Sequence, residues 1–195
     1  MIDPYIAVAL QTTVRHCVTR SETERNLAHI GNMLDLVCHI CALELPVRLV
    51  ALGEGCIQGF ADEILHLSSA EYTASMAAEI PGPESDYLAG KARQHGIFLI
   101  AQLKEKLPQY PDRFFNTIFI IDPRGQIIYK HRKNVVLFVE HSTTPHDVYD
   151  QWVKENGKTL DAFFPVAKAE IGNIGGSVGV EGAFPESWRG FAMNG

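Results

Sequence analysis

Phe114-Phe115-Asn116-Thr117-Ile118-Phe119-Ile120-Ile121, then Asp122-Pro123-Arg124-Gly125, then Gln126-Ile127-Ile128-Tyr129-Lys130-His131 is the stretch that decides the fold class. Two apolar, β-branched runs flank a four-residue segment with Pro and Gly where a tight turn needs them, which predicts a β-hairpin. Upstream lie further strand-like runs: Ile6 to Val14, Val47 to Leu52 and Ile97 to Ala101. Between them the period changes. Leu27, Ile30, Leu34, Val37, Cys38 and Cys41 recur at helical spacing behind an expected capping box, Ser21 to Glu24, and Pro46 ends that helix. A second helical region covers Ser69 to Ile80, and a third covers Glu84 to His95 with Gly96 as its C-terminal cap. Downstream, Phe163 to Lys168 and Ile171 to Glu181 read as a final strand pair, and Pro185 opens a last helix. Strands interleaved with helices predict a layered α/β (α+β) domain.

Residues 134–160 lose all periodicity apart from a short helix near Asp147 to Glu155. A loop that long inside a compact domain is expected to be functional or mobile. The 195 residues otherwise read as one domain, 1–195, without internal repeat or linker. Hydrophobic residues make up 46% and charged residues 21%, enough to bury a core without disulfides. A net charge of -6 argues against a nucleic-acid partner. The apolar run after Pro4 is too short for a signal peptide, and no stretch approaches a membrane span. Cys17, Cys38, Cys41 and Cys56 crowd into the first third of the chain, so reduced thiols and a cytoplasmic location are expected. Cys38-His39-Ile40-Cys41 has metal-ligand spacing but stands mid-helix with no second pair, and reads as helix core.

Three segments look unlike scaffold. Gly53-Glu54-Gly55 sets a carboxylate at the end of a buried strand, where desolvation is costly unless the group is paired or used; a solvated strand end is the plain alternative. Tyr129-Lys130-His131-Arg132-Lys133 ends a strand, and its plain reading is a charged edge that discourages aggregation. Gly175-Gly176-Ser177-Val178-Gly179-Val180-Glu181-Gly182, followed by Phe184-Pro185-Glu186, offers small residues where a substrate or another backbone comes close. Cys56, two residues from Glu54, reads as buried and inert, and Ser177 as too far from position 179 to replace a nucleophile there.

Taken together, these segments resemble the nitrilase (carbon–nitrogen hydrolase) superfamily, nearest its aliphatic amidase branch. Glu54 matches the family's glutamate after a hydrophobic strand, and Lys133 matches the lysine of its tyrosine–arginine–lysine run. Phe115-Asn116-Thr117 with Ile121 to Gly125, Ile80-Pro81-Gly82-Pro83, Phe184-Pro185-Glu186-Ser187-Trp188-Arg189 and Ala192-Met193-Asn194-Gly195 match further family segments in order. The resemblance implies an α-β-β-α sandwich whose later strands would lie past this chain's last helix, so the chain is expected to be truncated at its C-terminal end. It also implies a cysteine nucleophile, a glutamate base, an oxyanion-stabilising lysine and no metal or organic cofactor. The substrate would be a small non-peptide amide or nitrile, cleaved to a carboxylic acid and ammonia, with substrate contacts at Asn116, Tyr129 and Glu181. Glu140 is the expected second glutamate, although its offset from Lys133 is one residue short. No membrane partner is implied, and self-association near Pro185 is. One departure stands out. Counted from either Glu181 or Pro185, the nucleophile's position holds Gly179, which has no side chain. Three readings follow: a hydrolase of amides or nitriles in lineage, with little or no turnover in this chain; a silent member that binds an amide-like molecule or serves as an assembly subunit; or an unstable pseudoenzyme remnant with no selected activity.

Overall fold

The computed structural model describes residues 2–64 and 67–195. A five-stranded sheet organises it: β1 (Ile6–Leu10), β2 (Val47–Leu52), β3 (Phe98–Lys106), β4 (Phe114–Ile121) and β5 (Ile127–Arg132), in spatial order β1-β2-β3-β4-β5. The first three strands run parallel, and β3, β4 and β5 run antiparallel. Parallel neighbours need crossovers. The first is α1 (Thr23–Ile40). The second carries α2 (Ala61–Ile64), α3 (Ser69–Ser75) and α4 (Pro83–His95).

Leu27, Ile30 and Leu34 of α1 and Leu88, Ala89 and Ala92 of α4 bury against Val50, Leu99, Ala101, Leu103, Phe119 and Ile121 of the sheet. This is the main core. The opposite sheet face holds Phe98, Ile120 and Tyr129 and is covered by Ala167 and Ile171 of a short hairpin, β6 (Ala167–Ala169) with β7 (Gly172–Ile174). Helices α5 (Tyr149–Asn156), α6 (Leu160–Phe163) and α7 (Pro185–Asn194) complete the chain. Among the described residues no helix is long and apolar enough to cross a membrane.

The expected hairpin is present, closed by Gly125 N–H donating to Asp122 O at 2.8 Å, with Gly125 at φ +79°. Helix α4 also ends as expected, on Gly96 at φ +64°. Several expectations need correction. Half of a capping box forms two residues early: the Glu22 carboxylate accepts from the Thr19 amide, the Glu22 amide donates to the Thr19 carbonyl, and α1 starts at Thr23. The second helical region stops at Ser75, because Ala78 pairs instead with β3 (Ala78 N to Lys104 O, 2.9 Å; Lys106 N to Ala78 O, 2.9 Å).

Strand β3 runs five residues past Ala101, to Lys106. Its polar half, Gln102, Lys104 and Glu105, is buried because each side chain finds a partner. The final strand pair shrinks to three residues a side. Phe163 ends α6, and Gly179–Ala183 is a 3-10 turn, so Ser177 lies on no strand. Within residues 134–160, Thr143 bridges to Phe115, and Trp152 of α5 packs on Tyr110 and Phe115.

Candidate active site

The run from Tyr129 to Lys133 is not a solvated edge. Strand alternation divides it between the two sheet faces. Lys130 and Arg132 turn to one face and ion-pair with the fully buried Glu105, which also accepts from Thr117 Oγ1. Tyr129, His131 and Lys133 turn to the other face and are buried. The residues of β3 and β4 on that second face include Gln102, Lys104 and Asn116. A polar patch therefore forms at one end of this sheet face, and Glu54 enters it from the C-terminal end of β2.

Lys133 Nζ donates to Glu140 Oε1 at 2.5 Å and lies 3.6 Å from Glu54 Oε1. Asn116 Nδ2 donates to Glu54 Oε1 at 2.7 Å and reaches Glu140 Oε2 at 3.5 Å, so one amide touches both carboxylates. Gln102 fixes that amide. Its Nε2 donates to Asn116 Oδ1 at 2.7 Å, and its Oε1 accepts from the Gly55 amide at 3.0 Å. Glu140 also accepts from the Leu137 amide (3.1 Å) and Ser142 Oγ (3.3 Å). The side chains of Lys133 and Glu140 are each 1% exposed and that of Glu54 is 22% exposed, so Glu54 is the member open to an incoming molecule. Burial pushes the Glu140 carboxyl up. The Lys133 hydrogen bond, the Leu137 amide, and the charges of Lys133 and Lys104 outweigh that and hold it below the ordinary glutamate range.

Gly179 completes the cluster. Its φ is +52°, a conformation L-residues rarely adopt, and a Cβ built on it falls 2.6 Å from Glu54 Oε2 and 3.1 Å from Lys133 Nζ. The turn is fixed by Glu181, whose carboxylate is fully buried, accepts from the Val178 and Asn134 amides, and meets His131 Nε2 at 2.9 Å. One link thus ties the Gly179 turn to the backbone beside Lys133.

Two of the expected substrate contacts have their polar atoms bonded within the chain. Both oxygens of Glu181 are taken by His131 and backbone amides. The Tyr129 hydroxyl is bonded to the Gly176 backbone, accepting from N at 3.0 Å and donating to O at 3.2 Å. Both groups brace the 176–181 segment. Asn116 has its amide nitrogen on the two carboxylates. The Cys56 thiol is buried and pushed up to about 12 by desolvation, which disfavours the thiolate. Cys38 and Cys41 lie half-buried against the main core, and among the described residues no cluster suits a metal ion. Sequence reading missed Gln102 and His131. Their signal was register: both lie at alternating positions on the face that carries Asn116 and Lys133.

Residues 7–195 match the carbon–nitrogen hydrolase family model. The chain is similar to Nitrilase 1 of Arabidopsis thaliana, with 28% identity over 196 aligned positions covering 93% of this chain and 51% of that protein. It is also similar to a formamidase of Bacillus cereus strain Q1, with 25% identity covering 68% of this chain and 37% of that protein. The chain thus spans about half the length of the first of these curated relatives and less of the second. Among solved structures, a carbon–nitrogen hydrolase from Helicobacter pylori G27 superposes with a TM-score of 0.69 at 18% identity, covering 96% of this chain and 56% of that one. A mutant of the Nesterenkonia AN1 amidase from the nitrilase superfamily superposes with a TM-score of 0.65 at 18% identity, covering 96% and 61%. The structural matches share the fold.

Proposed function

The chain belongs to the carbon–nitrogen hydrolase family of the nitrilase superfamily, and from that premise we propose that its site is built for a small non-peptide amide or nitrile, with Gly179 standing where the family keeps its nucleophilic cysteine. The unmodified chain then binds such a molecule with little or no turnover. The observation that carries this reading is the direction of the missing side chain. A Cβ at 179 would enter between Glu54 Oε2 and Lys133 Nζ, a base and an oxyanion donor, although the three residues are remote in sequence.

In a Gly179→Cys chain the arrangement supports acyl transfer through a thioester. Glu54 takes the thiol proton, and the thiolate adds to the amide carbon. The negative charge that develops on oxygen faces the Lys133 ammonium, which Glu140 holds in place. The proton on Glu54 passes to the departing nitrogen, leaving a thioester. Water, deprotonated by Glu54, then cleaves the thioester to a carboxylic acid and restores the thiol.

The test is ammonia release from a panel of short amides and nitriles by the unmodified chain, Gly179→Cys, and Gly179→Cys with Glu54→Ala. The expected pattern is release by Gly179→Cys alone. Turnover by the unmodified chain would place the nucleophile elsewhere, and turnover by Gly179→Cys with Glu54→Ala would place the base elsewhere; either sinks the assignment. Self-association is proposed through α7 and its approach, where Phe184, Trp188 and Met193 are exposed. Sedimentation of a Trp188→Glu variant checks it, with loss of the larger species as the expected result.

A further inference from the structure

One buried ion pair beside the site is absorbed by none of the steps above. Lys104 Nζ donates to Asp62 Oδ2 at 2.8 Å, with the two side chains 1% and 0% exposed. Lys104 stands directly opposite Asn116 in the β3–β4 register, so it shares the sheet face of Asn116, Gln102 and Lys133. Its position is fixed from both sides. Its amide donates to Gln58 Oε1 at 2.7 Å, and Gln58 Nε2 donates to Met76 O at 2.7 Å. The segment that carries Glu54 also carries Gly55, Gln58 and Asp62, and Glu54, the Gly55 amide, Gln58 Oε1 and Asp62 each tie it to β3 or β4.

The charge balance of the site gives Lys104 a task. Two carboxylates, Glu54 and Glu140, gather on the single ammonium of Lys133, and Asn116 bridges them without adding charge. Two like charges therefore share one counter-charge. We propose that Lys104, anchored by Asp62, is a positioning residue whose ammonium steadies the two carboxylates gathered on Lys133, and through Glu140 sets the Lys133 ammonium. The depressed Glu140 carboxyl fits this, since Lys104 is among the charges that lower it. The titratable groups around Lys104 and its partner Asp62 are Glu63 on α2, Tyr72 on α3, which neighbours Asp62, and the Glu54–Lys133–Glu140 cluster. Burial raises the Glu63 carboxyl, and Lys104 opposes that. Burial also raises the Tyr72 phenol, which stays neutral.

This deepens the reading of the site, but its test needs no substrate, so failure of Gly179→Cys to turn over leaves it standing. The measurement is a carbon-13 NMR titration of the glutamate carboxyl carbons, with the Glu140 signal identified by its loss in Glu140→Gln. Lys104→Met moves the Glu140 midpoint up by about one pH unit, the low end of what a close opposite charge supplies. Asp62→Asn, which frees the Lys104 charge, moves it down. Lys104→Arg leaves it where it was. A purely structural role predicts no such opposite signs. An unmoved midpoint in folded Lys104→Met, or movement in one direction for both variants, overturns the proposal. If Lys104→Met fails to fold because Asp62 is left buried and alone, the near-isosteric Asp62→Asn decides: a midpoint that rises or stays put overturns the proposal.

Discussion

Replacing Gly179 with alanine measures the site's central feature without any substrate. Two costs apply. The left-handed backbone at φ +52° costs an L-residue roughly 1–2 kcal/mol. The added Cβ would also sit 2.6 Å from Glu54 Oε2, well inside van der Waals contact, so the Glu54 carboxylate must swing away. That swing weakens the 2.7 Å bond from Asn116 to its other oxygen, a charged hydrogen bond worth about 1.5–3 kcal/mol when fully formed. Glu54 is partly exposed, so the lower end of that range applies, and Gly179→Ala is expected to lose about 2–4 kcal/mol in all.

The molecule contains its own control. Gly96 has φ +64° with nothing within 4 Å of a built Cβ, so Gly96→Ala reports the backbone cost alone. Urea unfolding followed by tryptophan fluorescence gives each free energy by linear extrapolation. Gly179→Ala is expected to exceed Gly96→Ala by about 1–2 kcal/mol, and in a Glu54→Ala background that excess vanishes. A Gly179→Ala cost within about 0.5 kcal/mol of zero would refute the backbone assignment. An excess untouched by Glu54→Ala would show that position 179 does not point at Glu54.

Glu140→Gln leaves the buried Lys133 ammonium with only the 3.6 Å contact to Glu54, and is expected to cost roughly 3–5 kcal/mol at neutral pH in urea titrations. Because the folded Glu140 carboxyl is depressed, its stabilisation is complete above the ordinary glutamate value of about 4.3 and is lost as pH falls through the folded value; the gap between variant and parent narrows below that point. Glu105→Gln strips a fully buried carboxylate from Arg132, Lys130 and Thr117, and should lower stability by a similar 3–5 kcal/mol, read as a large drop in thermal midpoint. A thiol reagent at neutral pH should label the half-buried Cys38 and Cys41 in the native protein, and Cys17 and Cys56 only after unfolding; rapid native labelling of Cys56 would contradict its burial and raised thiol.

Local chemistry alone determined much of this protein. Apolar patterning marked α1, β2 and β4, and turn and cap residues marked the Asp122–Gly125 hairpin and the Gly96 end of α4, because period and backbone freedom are properties of neighbours in sequence. Ordered segments around Glu54, Lys133 and Pro185 marked the family. What sequence reading misjudged were elements whose hydrogen bonds go to distant partners. The polar half of β3 is a strand because Asp62, Gln58, Thr117 and Arg132 satisfy it, and none of these is local. The 176–181 segment resembles a strand, yet it leaves the sheet and enters the Gly179–Ala183 3-10 turn, braced by Tyr129 and Glu181. For the same reason, the buried roles of those two side chains, taken as substrate contacts from sequence, emerged only with the folded chain. Sequence could count to Gly179 and find no nucleophile there. Only the tertiary structure could bring Glu54, Lys133 and Glu140 around that missing side chain, since what joins them is the packing of β2, β5 and two loops.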